Sequence, residues 1–177
     1  ELKPEARLPN FQRRSLRNGL KVVVAERHEL PVVQLELLVK VGYADDPAGA
    51  SGLAGFMADM LDEGTRQLSA LEVSETLEDL GARLRTGCQA DTVTISLNAL
   101  KPSLDEALEI FADVALKPAF RIDDIERVRT QRLAAILSEQ SDPRGTAMRV
   151  LPELLYGAGH PYGKPFSGVG LEDGDAR

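Results

Sequence analysis

The chain has 177 residues, of which 43% are hydrophobic and 28% are charged, as in ordinary globular proteins. Its 28 acidic and 21 basic residues give a net charge of −7, which argues against binding nucleic acid or an anionic membrane. The single cysteine, Cys88, excludes an intrachain disulfide, and the presence of only two histidines argues against a multi-histidine metal site. No apolar run reaches the length of a membrane span, so we expect no transmembrane segment.

The first part of the chain predicts two strands followed by a helix. Residues 21–25 are mostly β-branched, and residues 33–41 alternate apolar with polar side chains, which is typical of strands. Residues 42–49 predict a loop because they contain Gly, Asp and Pro. In the helix predicted for residues 51–61, apolar side chains at helical spacing form the expected buried stripe. That stripe comprises Leu53, Phe56, Met57, Met60 and Leu61.

A second helix and a second pair of strands follow. Ser69 and Glu72 have the spacing of a capping box, which predicts a helix start, and this helix ends near Gly81. Residues 82–88 and 92–98 alternate apolar with polar side chains and predict two strands.

The remaining elements are predicted to be helices. Ser103 and Asp123 each precede a Glu by three residues, the spacing of a capping box, and each is expected to open a helix. Pro143 either ends the second of these helices or starts the next one. Strand pairs alternating with helix pairs predict an α+β domain, with helices packed on one face of a mostly antiparallel sheet.

The most informative stretch of the sequence lies between residues 42 and 65. Residues 42–47 read Gly-Tyr-Ala-Asp-Asp-Pro, and residues 52–60 read Gly-Leu-Ala-Gly-Phe-Met-Ala-Asp-Met, followed by Gly-Thr at 64–65. This stretch resembles the signature of the pitrilysin or M16 peptidases. That family shows a Gly-Ser-x-x-(Asp/Glu)-x-Pro loop, then Gly-Leu-Ala-His-x-x-Glu-His-Met, then Gly-Thr.

The resemblance covers nearly the whole chain, from about residue 16 to residue 168. Residues 18–22 resemble the first strand of the family, residues 80–93 its second strand pair, and residues 155–163 the end of its helical segment. The resemblance therefore implies the two-layer α+β sandwich of the mitochondrial processing peptidase and LuxS-like metallohydrolases.

The positions that carry the chemistry of the family differ in this chain. In the family, His-x-x-Glu-His places two zinc-binding histidines and a general-base Glu on one helix face. The two histidines fall on Gly55 and Asp59, and the Glu falls on Ala58. A later Glu ligand, about seventy-six residues on in the family, falls near Ala135 or Ile136. The resemblance thus implies no intact catalytic residue, no metal ligand and no cofactor in this chain, although the cofactor of the family is zinc.

A Glu that supports this later ligand in the family falls near Val128. Two interpretations of the remaining carboxylates of this chain stay open. Asp59 could be a surviving ligand, with Asp62, Glu63 or Glu139 as partners. We favour a solvated acidic helix face, since zinc sites need three or four converging ligands with some His or Cys among them.

Three other side chains are interpreted as structural or exposed. His160 lies in a His-Pro-Tyr-Gly loop that resembles a loop of the family, and His28 lies in a polar turn after a strand. Cys88 is the last residue of a predicted strand, and no activating partner lies near it in sequence. We therefore interpret it as a small buried or edge residue and not as a nucleophile.

One site of the family does not depend on zinc. Its extended substrate pairs with the exposed sheet edge near the third and fourth strands, which resembles residues 86–91 here. These are Thr86, Gly87, Cys88, Gln89, Ala90 and Asp91. Because backbone pairing is indifferent to side chains, peptide binding could persist without cleavage. Alternatively, another subunit or domain covers this edge.

The resemblance implies that residues 1–177 form a single N-terminal-type domain, a fragment of a longer two-domain subunit. We expect a non-catalytic subunit that encloses and binds peptide together with a catalytic M16 partner bearing His-x-x-Glu-His. In bacterial pairs the second subunit supplies an Arg/Tyr pair from its C-terminal half, and such pairs are exported, which suggests the periplasm. The alternatives are a structural scaffold without a peptidase role, and a zinc peptidase with atypical ligands. The last ranks lowest because nothing replaces the general base at Ala58.

Overall fold

The computed structural model describes residues 10–165 and 167–168. It divides into two compact units, residues 1–32 and 33–177. The described part of the first unit contains a two-stranded antiparallel hairpin of β1 (Phe11–Ser15) and β2 (Lys21–Ala25). The strand β2 was predicted, whereas β1 was missed because its polar sequence does not alternate.

Within its described residues, the second unit combines a three-stranded sheet with five α-helices. Its strands are β3 (Val32–Val39), β4 (Arg83–Cys88) and β5 (Val93–Leu100), in the spatial order β3-β5-β4, with β4 and β5 antiparallel. Its helices are α1 (Leu53–Met60), α2 (Ala70–Asp79), α3 (Leu104–Leu116), α4 (Ile122–Ser141) and α5 (Pro143–Tyr156). The predicted α+β class is therefore confirmed. No helix in the described part of the chain is long and apolar enough to cross a membrane.

The hydrophobic core lies around the central strand β5. Its alternation places one face in the core, where Leu97 is 0% exposed. This face consists of Val93, Ile95, Leu97 and Ala99. The same cluster includes Ala58 of α1 and the buried residues of α2 and α3, such as Val114. The positions that align with the family motif are Gly55, Ala58 and Asp59, and the side of α1 that carries them is called the motif face. It is anchored to the core of the domain through Ala58.

Two helices begin close to the predicted positions, but the predicted side-chain caps, Ser103 and Asp123, are wrong. Ser103 precedes α3, but its side chain makes no capping hydrogen bond because a 3-10 turn, Lys101–Ser103, leads directly into the helix. The helix α4 begins at Ile122 after Arg121, so Asp123 lies within the first turn and not at the cap. An acidic side chain there still stabilises the helix through the dipole.

The buried stripe predicted for α1 is only partly correct. Met60 and Leu61 are buried as expected, but Leu53 is half exposed. The buried residues within the helix are Ala54, Gly55, Ala58 and Met60. Small residues allow another element to approach closely, and α1 indeed contacts α4. The small face of α1, which carries the motif positions, is thus a packing surface.

The capping box at the start of α2 yields a first testable result. The Ser69 hydroxyl accepts a hydrogen bond from the Glu72 amide at 3.3 Å, and the Glu72 carboxylate accepts one from the Ser69 amide at 2.7 Å. We expect Ser69→Ala to lower the free energy of unfolding by about 1 kcal/mol, measured by urea denaturation. Ser74→Ala, at an exposed position inside the same helix, is the matched control and should cost nothing measurable.

The same box contributes a pH dependence. The hydrogen bonds from the Ser69 backbone and side chain hold the pKa of Glu72 below its ordinary value. A lowered pKa in the folded state means that the contribution is complete above the unfolded-state pKa and is lost as the pH falls through the folded-state pKa. The difference between wild type and Ser69→Ala should therefore shrink in acid. A difference that grew as the pH fell would contradict this assignment.

Candidate functional site

The helix α1 is positioned by a loop that connects it to the end of β4. The amides of Tyr43 and Ala44 donate to the carbonyls of Gln89 at 3.1 Å and Ala90 at 2.9 Å. Gly42 makes this approach possible, because a Cβ at that position would lie 2.2 Å from both carbonyl oxygens. The loop and the strand end are therefore joined by backbone contacts that no side chain at position 42 would permit.

The same loop supplies the N-terminal cap of α1. The carboxylate of Asp46, a residue only 7% exposed, accepts hydrogen bonds from the amides of Gly52 at 2.7 Å and Ala54 at 2.9 Å. The Asp46 carbonyl in turn accepts from Lys164 at 2.8 Å. This arrangement fixes where the first turn of α1 begins, and hence where its motif face points.

The motif face of α1 packs against an arginine of α4. The guanidinium of Arg132 donates a hydrogen bond through Nη1 to Oδ2 of Asp59 in an ion pair. Its Nη2 lies only 2.5 Å from the place where a Cβ on residue 55 would stand. The absence of a side chain at Gly55 is therefore what admits the guanidinium, and Ala58, which is 1% exposed, completes the small face.

Arg132 is held from more than one side. Its Nε donates to the carbonyl of Ser167 at 3.3 Å, and its side chain is 16% exposed, whereas that of Asp59 is 52% exposed. Its Nη2 is buried and has no hydrogen-bond partner within the described residues. A guanidinium keeps its charge at any ordinary pH, so the positive charge in this position is permanent.

A second arginine, Arg149 of α5, extends this network to Glu139 of α4. The carboxylate of Glu139 accepts hydrogen bonds from Arg149 at 3.1 Å and from the hydroxyl of Ser167 at 2.7 Å. Arg149 also donates to the Gly168 carbonyl at 2.8 Å. Both arginines thus hold the backbone at Ser167 and Gly168 against α4 and α5.

The structure locates the positions inferred for the later ligand and its supporting Glu. Val128 and Ile136 are buried in the core-facing side of α4, and Ala135 is exposed. Arg132 lies one helical turn from both buried positions, on the side that meets α1. Sequence reasoning missed it, because nothing in a helix rich in arginine distinguishes this residue from Arg129.

The donor atoms at this site do not fit a zinc ion. Zinc requires three or four converging N, S or O donors, whereas the only donor on the motif face here is Asp59, which is paired with a guanidinium. Across residues 10–165 and 167–168, no group of three or more His, Cys, Asp or Glu side chains could hold a metal ion. The positive charge beside Asp59 is that of the Arg132 guanidinium.

Two of the other carboxylates considered as partners of Asp59, Glu63 and Glu139, pair with arginines other than Arg132. Glu63 accepts two hydrogen bonds from Arg127. Asp62 is exposed as a residue, but partial desolvation of its carboxylate raises its pKa above the ordinary value. In the first unit, His28 is exposed and lies 3.3 Å from Glu26.

The predicted peptide-binding segment spans the end of an edge strand and the turn that follows. Thr86, Gly87 and Cys88 lie on β4, which forms one edge of the three-stranded sheet. Gln89 and Ala90 lie beyond the strand, and their carbonyls are already occupied by the loop before α1. Burial raises the pKa of the Cys88 thiol above its ordinary value, which keeps it protonated and unreactive at neutral pH.

An aromatic cluster borders the far end of this segment. The rings of Tyr156 and His160 stack with centroids 5.4 Å apart, and Tyr162 meets both rings edge-on at 5.6 and 5.3 Å. The Tyr162 hydroxyl donates to the carboxylate of Asp91, with distances of 2.7 and 2.8 Å to its two oxygens. This hydrogen bond raises the pKa of Tyr162, so the phenol remains neutral. Sequence reasoning treated His160 as structural and did not connect it with Asp91.

The site therefore combines the edge strand β4 with a capped helix, α1, whose small face admits an arginine of α4. The chain belongs to peptidase family M16, the insulinase family, whose model matches residues 21–160. The resemblance inferred from the sequence is thereby confirmed.

Two relatives and one solved structure show the range of this similarity. The chain is 32% identical over 135 residues to a Helicobacter pylori protein named non-peptidase homolog YmxG, covering 76% of this chain and 31% of that protein. It is 26% identical over 167 residues to an uncharacterized zinc protease of Mycobacterium leprae, covering 94% of this chain and 37% of that protein. A crystal structure of a peptidase M16 inactive domain from Pseudomonas fluorescens superposes with a TM-score of 0.84 at 33% identity, covering 90% of this chain and 39% of that one. The chain therefore spans only 31 to 39% of the length of these proteins.

Proposed function

We propose that this chain is the N-terminal half of a non-catalytic M16 subunit, which binds and encloses peptide beside a catalytic partner. The observation that carries the proposal is the Arg132 guanidinium, which lies against Gly55 and pairs with Asp59 where the family places zinc ligands. A permanent cation repels a metal ion, and nothing at Ala58 could accept a proton from water. The names of the H. pylori and P. fluorescens relatives, a non-peptidase homolog and an inactive domain, support the same conclusion.

Peptide binding is the part of the family chemistry that the remaining geometry supports. The strand β4 lies at the edge of its sheet beside α1, and its outward-facing backbone groups offer the hydrogen bonds that an extended peptide requires. A partner subunit that carries His-x-x-Glu-His would then cleave the bound peptide. This chain would contribute a wall of the chamber and part of the substrate contact.

The first test measures zinc in the purified chain by elemental analysis, after dialysis against a modest excess of the metal. We expect a value near zero per chain, both for wild type and for Asp59→Ala. One zinc per chain in the wild type, lost in Asp59→Ala, would overturn the proposal in favour of an atypical metallopeptidase.

A second measurement addresses the partner. The full-length subunit that contains this chain is combined with an M16 subunit bearing an intact His-x-x-Glu-His motif, and hydrolysis of a fluorogenic peptide is followed. We expect no chelator-sensitive cleavage from the full-length subunit by itself and faster cleavage from the mixture than from the partner alone. Identical rates with and without it would instead favour a structural scaffold without a peptidase role.

A further inference from the structure

The aromatic cluster at the end of β4 is exposed, although its rings contact one another. Tyr156 is 53% exposed, His160 is exposed and Tyr162 is half-buried. If the rings served only to fill the core, burial would be their main contribution, since each aromatic side chain has a large area to remove from water. Here the rings instead leave π-surface at the surface of the domain.

The carboxylate at the centre of this cluster has no cationic partner within the part of the chain that the structure describes. Both oxygens of Asp91 are within hydrogen-bond distance of the Tyr162 hydroxyl, and no lysine or arginine of the described residues forms an ion pair with Asp91. A carboxylate can accept about four hydrogen bonds, so the Tyr162 hydroxyl does not use all of its acceptor positions. Its neutral phenol partner leaves the negative charge uncompensated.

The cluster lies where a peptide on β4 would have to leave the sheet. The strand ends at Cys88, and the next two carbonyls, of Gln89 and Ala90, accept from the loop before α1. A peptide strand paired with β4 can therefore continue no further along this edge. Its next side chains would emerge beside Asp91 and the three rings.

We propose that Asp91, Tyr156, His160 and Tyr162 form a subsite for a lysine or arginine side chain of a peptide bound along β4. An ammonium or guanidinium group is attracted to the faces of aromatic rings and to a carboxylate, and an acidic or neutral side chain gains neither attraction. The acidic charge of the whole chain favours the approach of a basic peptide. This inference rests on the proposed peptide-binding function and adds the substrate class to it.

The test uses acetylated and amidated octapeptides of Thr, Val and Ser, each with one lysine at a different position, and a norleucine peptide for each. Binding to this chain is measured by NMR titration, which reports separately on the β4 amides and on those near Asp91. We expect one lysine position to bind about three- to thirtyfold more tightly than its norleucine counterpart.

Asp91→Asn should abolish this preference while leaving the norleucine peptide unaffected. The asparagine retains an oxygen that can accept from Tyr162, so the local structure should persist. Glu75→Gln removes one carboxylate from an exposed position on α2 and is the matched control, for which the preference should remain. Tyr162→Phe keeps the ring and removes the hydroxyl, and it should retain a reduced preference for lysine.

The outcomes separate the subsite from the function on which it rests. If lysine and norleucine peptides perturb the β4 amides equally at every position, the edge binds peptide but the subsite proposal is wrong. If no peptide perturbs the β4 amides at all, the peptide-binding function itself fails. If the preference survives Asp91→Asn, the lysine is recognised elsewhere and the assignment to this cluster is overturned.

Discussion

Restoring the three motif side chains by Gly55→His, Ala58→Glu and Asp59→His is expected to destabilise the chain without giving it zinc. A Cβ at position 55 would stand 2.5 Å from Nη2 of Arg132, and an imidazole extends further into the same space. Replacing Asp59 removes the carboxylate paired with that guanidinium, and a Glu at position 58 enters a site that is 1% exposed. Overpacking, a buried charge and a broken pair together should lower the free energy of unfolding by about 3 to 5 kcal/mol.

Urea denaturation and elemental analysis for zinc test this expectation together. The control is Leu53→Glu, which introduces the same side chain as Ala58→Glu but at an exposed position of α1. We expect it to change the free energy of unfolding little. Adding Arg132→Glu to the triple variant removes the cation and should raise the zinc content above that of the triple variant. A triple variant that bound one zinc per chain with wild-type stability would show that Arg132 does not occupy the metal position.

Asp46→Asn is expected to lower the free energy of unfolding by about 2 to 3 kcal/mol, because two charge-assisted hydrogen bonds fix the start of α1. The amides of Gly52 and Ala54 both donate to this nearly buried carboxylate. An asparagine offers one oxygen, and its NH₂ group would face the second amide. The loss should appear in the denaturation midpoint and as faster hydrogen exchange at these two amides.

Asp45→Asn is the matched control for this effect. It is the same substitution one residue earlier, and its carboxylate accepts a single hydrogen bond, from the Gly42 amide at 2.9 Å. We expect a loss of about 1 kcal/mol or less. Equal losses for the two variants would mean that capping of α1 is not what Asp46 contributes.

Periodicity alone predicted much of the fold. The alternation that marked β5 is the pattern that the structure buries, and the predicted helix beginning after Ser69 is capped as expected. The missed strand β1 has no alternating pattern and is stabilised as a hairpin with β2, a contact between segments that a local pattern does not contain. The turn between them, which includes Asn18 and Gly19 with a φ of 86°, was the available signal.

The motif face showed where local reasoning was insufficient. Hydrophobicity placed Leu53 in the core, but the structure buries the small residues Gly55 and Ala58, and the missing side chain at Gly55 admits Arg132 of α4. The residue of α4 that meets this face is Arg132, which is 73 residues from Asp59 in sequence. Such pairs follow from the crossing of helices, which one sequence does not specify.

The positive charge at the motif face belongs to the side chain of Arg132 and not to a bound ion. A bound metal stabilises a fold by mass action, so its contribution shrinks as the free metal concentration falls relative to the dissociation constant. The ion pair between Asp59 and Arg132 involves no free ligand and has no such concentration dependence. The connection between α1 and α4 therefore persists in a compartment starved of zinc, where a metal-dependent homologue would lose part of its stability.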